Sequence, residues 1–217
     1  QDFDLTGTQI SANEAVAVFS GHACSDIGEG ACDHLFEQMP PTSSLSTNYV
    51  VGEAFSSSGD GNNLVRVVGA NENTQVSVNG ETVATIGVGE TYNFVLSEAS
   101  ALITTSQPAF VAQYLQGADT AGEGDPAMGF VPGQNTWLSS YFVANPAEDR
   151  ALAQNLLNIV IPTEALGTLE LNGEPVDTSN FLAVDGTDLS VGNVDVPDGL
   201  LQIEAADPFQ LMLFGCS

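Results

Sequence analysis

Short apolar runs recur along the whole chain, each bounded by Gly, Asn, Asp or Pro. Ala15–Ser20, Leu64–Val68, Thr74–Val78, Val83–Ile86, Tyr92–Leu96 and Ala101–Thr105 are rich in Val, Ile, Phe and Tyr. Runs of this length and composition, with this punctuation, predict strands. Phe110–Leu115 and Asn155–Ile161 are apolar at most positions, which predicts central strands covered on both faces. Thr168–Leu171, Pro175–Val176, Leu200–Ala205 and Phe209–Phe214 complete the set. Two Asn-Gly dipeptides, Asn79-Gly80 and Asn172-Gly173, each sit between such runs and predict tight hairpins. One stretch breaks the pattern. Ala31–Met39 lacks alternation and is stopped by Pro40-Pro41, so a short helix is expected there.

The pattern repeats. Val78-Asn79-Gly80-Glu81-Thr82-Val83 matches Leu171-Asn172-Gly173-Glu174-Pro175-Val176. Ile103, Pro108 and Tyr114 match Ile203, Pro208 and Phe214 at constant spacing. A partial third copy opens the chain at Ile10 and Asn13–Gly21. The expected fold is all-β: two similar antiparallel, sandwich-like lobes packed together, with one short helix after the first strand. The expected division is residues 1–117 and 118–217. Each lobe alone is too small to bury its sheet well, so the two form one unit.

Composition narrows the partners. The 217 residues hold 28 acidic side chains and two basic ones, Arg66 and Arg150, for a net charge of −26. The 43% hydrophobic content is enough for a packed core. A nucleic-acid groove needs cations to displace phosphate counterions, and two arginines do not supply one. Anionic membrane surfaces are disfavoured for the same reason. No run reaches the ~20 apolar residues of a membrane span. The start at Gln1, with neither Met nor a signal peptide, suggests a processed product or an excised domain. Cations, neutral glycans, polar peptides and basic partners remain.

Both histidines fall in one segment. His22-Ala23-Cys24 is followed by Cys32-Asp33-His34-Leu35-Phe36-Glu37. If residues 31–39 are helical, His34 and Glu37 share a face, and His22, His34 and Glu37 can hold a metal ion. The simpler reading is structural, with Asp33 capping the helix and His34 bonded to backbone. Cys24 and Cys32 can close a small ring worth roughly 2–3 kcal/mol, or stand as two free thiols. The third cysteine, Cys216, is left over. For calcium, Asp119, Glu123 and Asp125 in a Gly-rich loop offer hard oxygen ligands. Asp185–Asp188 and Asp195–Asp198 are weaker versions. Tyr114, Trp137 and Tyr141 are candidate aromatic platforms for a glycan or peptide. No Gly-x-Ser-x-Gly elbow occurs, and with no lysine there is no Schiff-base chemistry. Carboxylate pairs carry little information among so many acids, so no enzyme is expected.

At this point the residues carry a resemblance. Ala15–Cys24, then Ala31-Cys32-Asp33-His34-Leu35, then Glu37-Gln38-Met39-Pro40-Pro41 resemble the amino-terminal domain family of IgG Fc-binding proteins. Val65–Val68, Asn73–Val76, Phe110–Tyr114, Gly124–Met128 and Asn158–Val160 follow in the same order, so nearly the whole chain is covered. The resemblance implies a secreted module of a large multidomain protein, a Cys24–Cys32 disulfide and no enzymatic activity. The acidity, the missing lysine and Cys216 depart from the animal pattern and favour a bacterial surface protein of saline surroundings. The expected function is an extracellular adhesion or ligand-binding module for a glycan or protein ligand, with calcium as a possible helper and neighbouring domains as further partners. A structural spacer or self-association module is the alternative.

Overall fold

Alternation of buried and open positions sets the strands. In Asn63–Gly69, residues Asn63, Val65, Val67 and Gly69 are buried while Leu64, Arg66 and Val68 are half-buried. The computed structural model describes residues 4–27, 32–55, 63–117, 125–145 and 154–216. A hairpin comes first, β1 (Phe19–Asp26) against β2 (Cys32–Gln38). The first lobe holds β3 (Ser46–Gly52), β4 (Asn63–Gly69), β5 (Thr74–Val78), β6 (Glu81–Ile86), β7 (Thr91–Val95), β8 (Ser100–Leu115) and β9 (Ala127–Phe130). Their order is β6-β5-β8-β4-β7, with β3 and β9 also on β8. The second lobe holds β10 (Leu138–Asn145), β11 (Gln154–Pro162), β12 (Glu170–Leu171), β13 (Glu174–Pro175), β14 (Leu182–Ala183), β15 (Leu189–Asp195) and β16 (Gly199–Cys216). Their order is β13-β12-β16-β11-β15-β14, with β10 also on β16. All pairings are antiparallel. β9 lies beyond residue 117 in the chain but pairs with β8.

One long strand is the spine of each lobe. The first part of β8 pairs with β3 and β5, and its last part with β4 and β9. β16 divides in the same way, first to β10 and β12, then to β11. Pro108 and Pro208 fall at the crossings, where a residue without an N–H interrupts a ladder least. A tyrosine ties each crossing. The Tyr49 hydroxyl donates to the Ala109 carbonyl at 2.6 Å and accepts the Ser46 N–H at 2.8 Å. The Tyr141 hydroxyl donates to the Phe209 carbonyl at 2.7 Å and accepts the Leu138 N–H at 2.9 Å.

The Asn-Gly turns are equivalent as well. Asn79 and Gly80 have φ of 49° and 84°, and Asn172 and Gly173 have 52° and 81°. Two positive values in a row suit a two-residue hairpin, and Asn and Gly adopt them at least cost. The Asn79 side-chain oxygen accepts the Leu102 N–H, and that of Asn172 accepts the Gln202 N–H, each at 2.9 Å. The repeat seen in the letters is thus a repeat of hydrogen bonds.

The lobes share a core. Val50 of β3 packs with Trp137, Val160, Val184, Leu189 and Val191. Leu156, Met212 and Phe214 of the second lobe close the core of the first. Asn158 and Asn193 both donate to the Glu53 carbonyl, at 3.2 Å and 2.9 Å. Gln210 donates to the Val50 carbonyl at 3.1 Å.

The expected short helix is not formed. Residues 32–38 are strand β2, because β1 offers a ladder that a two-turn helix cannot match. The expected strand Ala15–Ser20 enters regular pairing only at Phe19.

Candidate functional site

Hairpin geometry sorts the side chains of the His/Cys segment. Phe19 pairs with Gln38, Ser20 with Glu37, Gly21 with Phe36 and His22 with Leu35. Successive residues of a strand face opposite sides. His22, Leu35 and Glu37 therefore share one face, and Phe19, His34 and Phe36 share the other. Leu35 is buried, which makes its face the inner one. On the outer face Phe19 and Phe36 are 53% and 65% exposed, yet their rings stack at 5.5 Å with planes 6° apart. Gly21, across from Phe36, has no side chain to hold the rings apart, and a Cβ there would strike the Leu35 carbonyl.

The polar groups divide between the two faces, His34 on that of the aromatic pair and Asp33, His22 and Glu37 on the opposite one. Asp33 accepts the His34 N–H at 2.7 Å, and the same oxygen lies 3.3 Å from His34 Nδ1. The backbone hydrogen bond, then the imidazole contact, hold the exposed Asp33 carboxyl below the usual carboxylate range. His22 Nδ1 accepts the Cys24 N–H at 3.2 Å. Cys24 and Cys32 are joined by a disulfide with Cα atoms 5.0 Å apart, which ties β2 to the irregular stretch of β1 between His22 and Ser25. Glu37 is half-buried, and burial pushes its carboxyl up.

The metal reading of His22, His34 and Glu37 is corrected by this geometry. In a strand, positions three apart face opposite sides, so His34 is turned away from His22 and Glu37. Among the described residues no group of three His, Cys, Asp or Glu side chains is placed to hold a metal ion. Of the calcium candidates, Asp119 and Glu123 lie outside the described residues, and Asp125 is exposed.

The three aromatic candidates are not brought together. Trp137 is buried in the core shared by the lobes. Tyr141 is half-buried, edge-on to Phe209 at 5.0 Å. Tyr114 is half-buried beneath Arg66, whose guanidinium carbon stands 5.7 Å from the ring centroid. Arg66 also donates to Asn93 at 2.9 Å and to Thr6 at 3.1 Å. Among the described residues the exposed phenylalanines are instead Phe19, Phe36 and Phe142, of which the first two stack. Pairing Ala15–Gly21 with residues 32–38 as a hairpin would have revealed this stack.

Two open grooves were not visible in the sequence. One, of about 420 Å³, runs along residues 174–180 and 193–195 and includes Asp177 and Asp195. The other, of about 310 Å³, is lined by Glu37, β9 and residues 211–215 of β16.

The chain is a two-lobed antiparallel β module whose disulfide-closed hairpin carries an exposed aromatic pair. The family model described as IgGFc binding protein matches residues 1–215, and the chain belongs to that family. The human IgGFc-binding protein is 27% identical over 220 residues, covering 98% of this chain and 4% of that protein. The chain thus spans a small fraction of its relative's length. No solved structure matches it. Among the described residues no helix is long and apolar enough to cross a membrane.

Proposed function

We propose that this chain is an extracellular ligand-binding module of a larger bacterial surface protein, and that the outer face of the β1–β2 hairpin makes the contact. The carrying observation is the exposed Phe19–Phe36 stack, with His34 on the same face of the hairpin. Exposed aromatics on a disulfide-closed hairpin present apolar area at little entropic cost, and neighbouring polar groups supply direction. The ligand is a protein surface or a glycan. The relative's name supplies the first protein probe, the Fc region of immunoglobulin G. Calcium, held by the carboxylates of Asp119, Glu123 and Asp125, assists the contact. Localisation is secreted or at the cell surface.

The test is an array of glycans, peptides and Fc, read with calcium and again with chelator. A specific hit that falls at least about tenfold with Phe36→Ala, while Leu200→Ala leaves it unchanged, supports the hairpin. A hit that ignores Phe36→Ala moves the contact elsewhere. Loss of the hit in chelator supports the calcium role. No hit with the fold intact favours the second reading, a structural spacer. That reading draws on the asparagine clasp and shared core that hold the two lobes together.

A further inference from the structure

The last part of β8 lies between two strands. Leu64 of β4 is opposite Tyr114 on one side, and Met128 of β9 is opposite it on the other. The last part of β16 is its counterpart in the second lobe, with β11 in the place of β4. On the side where β9 would fall, no strand among the described residues pairs with β16.

That edge is open to a groove. Leu211, Met212, Leu213, Phe214 and Gly215 all line it, as do Ala127, Met128, Gly129 and Phe130. Consecutive strand residues point to opposite faces, so a groove touching every one of them runs along the backbone edge. The groove therefore lies between β9, against which β2 packs, and the edge of β16 that is unpaired among the described residues. Met212 and Gly129 approach across it, since a Cβ on Gly129 would stand 3.0 Å from the Met212 methyl. Glu37 supplies the rim with a carboxyl.

We infer that the β16 edge at Leu211–Gly215 binds an extended peptide of a partner protein by strand addition, as β9 is held on β8. The partner strand has small or apolar side chains, as Ala127-Met128-Gly129-Phe130 has. Backbone bonds supply the affinity and the flanking groove selects the side chains. A cationic group near Glu37 is favoured by the charge of −26. This deepens the ligand-binding reading with a partner class, but it uses none of the exposed hairpin aromatics. The two therefore fail separately.

The probe is a synthetic peptide with the sequence of residues 126–133, Pro-Ala-Met-Gly-Phe-Val-Pro-Gly, which holds the equivalent edge in the first lobe. Two derivatives carry N-methyl groups on alternate residues, one at the positions of Met128 and Phe130, the other at Ala127, Gly129 and Val131. Saturable binding to the intact chain is expected, with slowed amide exchange at residues 211–215. At least one derivative should bind about tenfold or more weakly, because it lacks the donors that face the edge. Absence of binding at millimolar peptide overturns the inference. So does binding that neither derivative weakens, or protection confined to residues outside 211–215.

Discussion

Replacing Gly52 by alanine tests how the lobes are joined. A methyl carbon there would lie 2.5 Å from Val191 Cγ2, 2.6 Å from Asn158 Oδ1 and 2.7 Å from Asn158 Nδ2. Carbon contacts are comfortable at roughly 3.5–4.0 Å, so the second lobe must retreat by about 1 Å. Overpacking of this kind costs about 1–3 kcal/mol. If Asn158 moves away, it gives up its bonds to the Glu53 carbonyl at 3.2 Å and to Asn193 at 2.7 Å. Each lost bond adds roughly 1 kcal/mol, for a total of about 3–5 kcal/mol. Urea unfolding followed by Trp137 fluorescence is the assay. Trp137 is the chain's single tryptophan and lies in the shared core. The midpoint should fall, with fluorescence and circular dichroism tracing one transition. Ala144 is the counterpart of Gly52, since Gly52 pairs with Ser100 and Ala144 with Leu200. It is exposed, so Ala144→Gly should cost under about 1 kcal/mol. A Gly52→Ala protein with the wild-type midpoint would refute the close approach of the lobes.

Tyr49→Phe should cost about 1–3 kcal/mol, because it strands the buried Ser46 N–H and Ala109 carbonyl. Tyr141→Phe should cost less, since its site is only half-buried; equal losses in chemical denaturation would contradict this ranking. Melting temperature should rise between about 0.05 and about 1 M sodium chloride, as screening relieves repulsion among the acidic side chains. A flat salt response would mean that the acids are compensated locally. Burial raises the Glu37 carboxyl above its unfolded-state value, so the folded chain binds that proton more tightly. The associated stability is full below the unfolded pKa and lost as pH rises through the folded one. Glu37→Gln should therefore melt higher than wild type at neutral pH, with the gap closing in acid below the ordinary carboxylate range. A gap that persists there would assign the effect to packing.

Local signals settled much of the fold. Asn-Gly needs nothing beyond its own backbone preference to turn, and both predicted hairpins form where the dipeptides lie. Thr74–Val78 is a strand with the bounds its pattern implies, because alternation needs only one apolar face to bury. The repeat was legible for the same reason, since equivalent turns and strands require similar letters. Where pairing depends on distant partners, the local signal failed. Residues 32–38 carry no alternation that forbids a helix, and only β1 with the disulfide makes them a strand. β3, β10 and β15 went unread because Ser, Asn and Gly inside them look like turn punctuation; the long spines supply the ladder that overrides it. Trp137, Tyr114 and Tyr141 look alike as aromatic letters. One fills the shared core, one lies under Arg66 and one ties a crossing. The β class, the turns, the repeat and the charge were readable from the letters, because near neighbours along the chain set them. Which aromatics face solvent and which strand edges stay unpaired came from packing, because those depend on what the rest of the chain has covered.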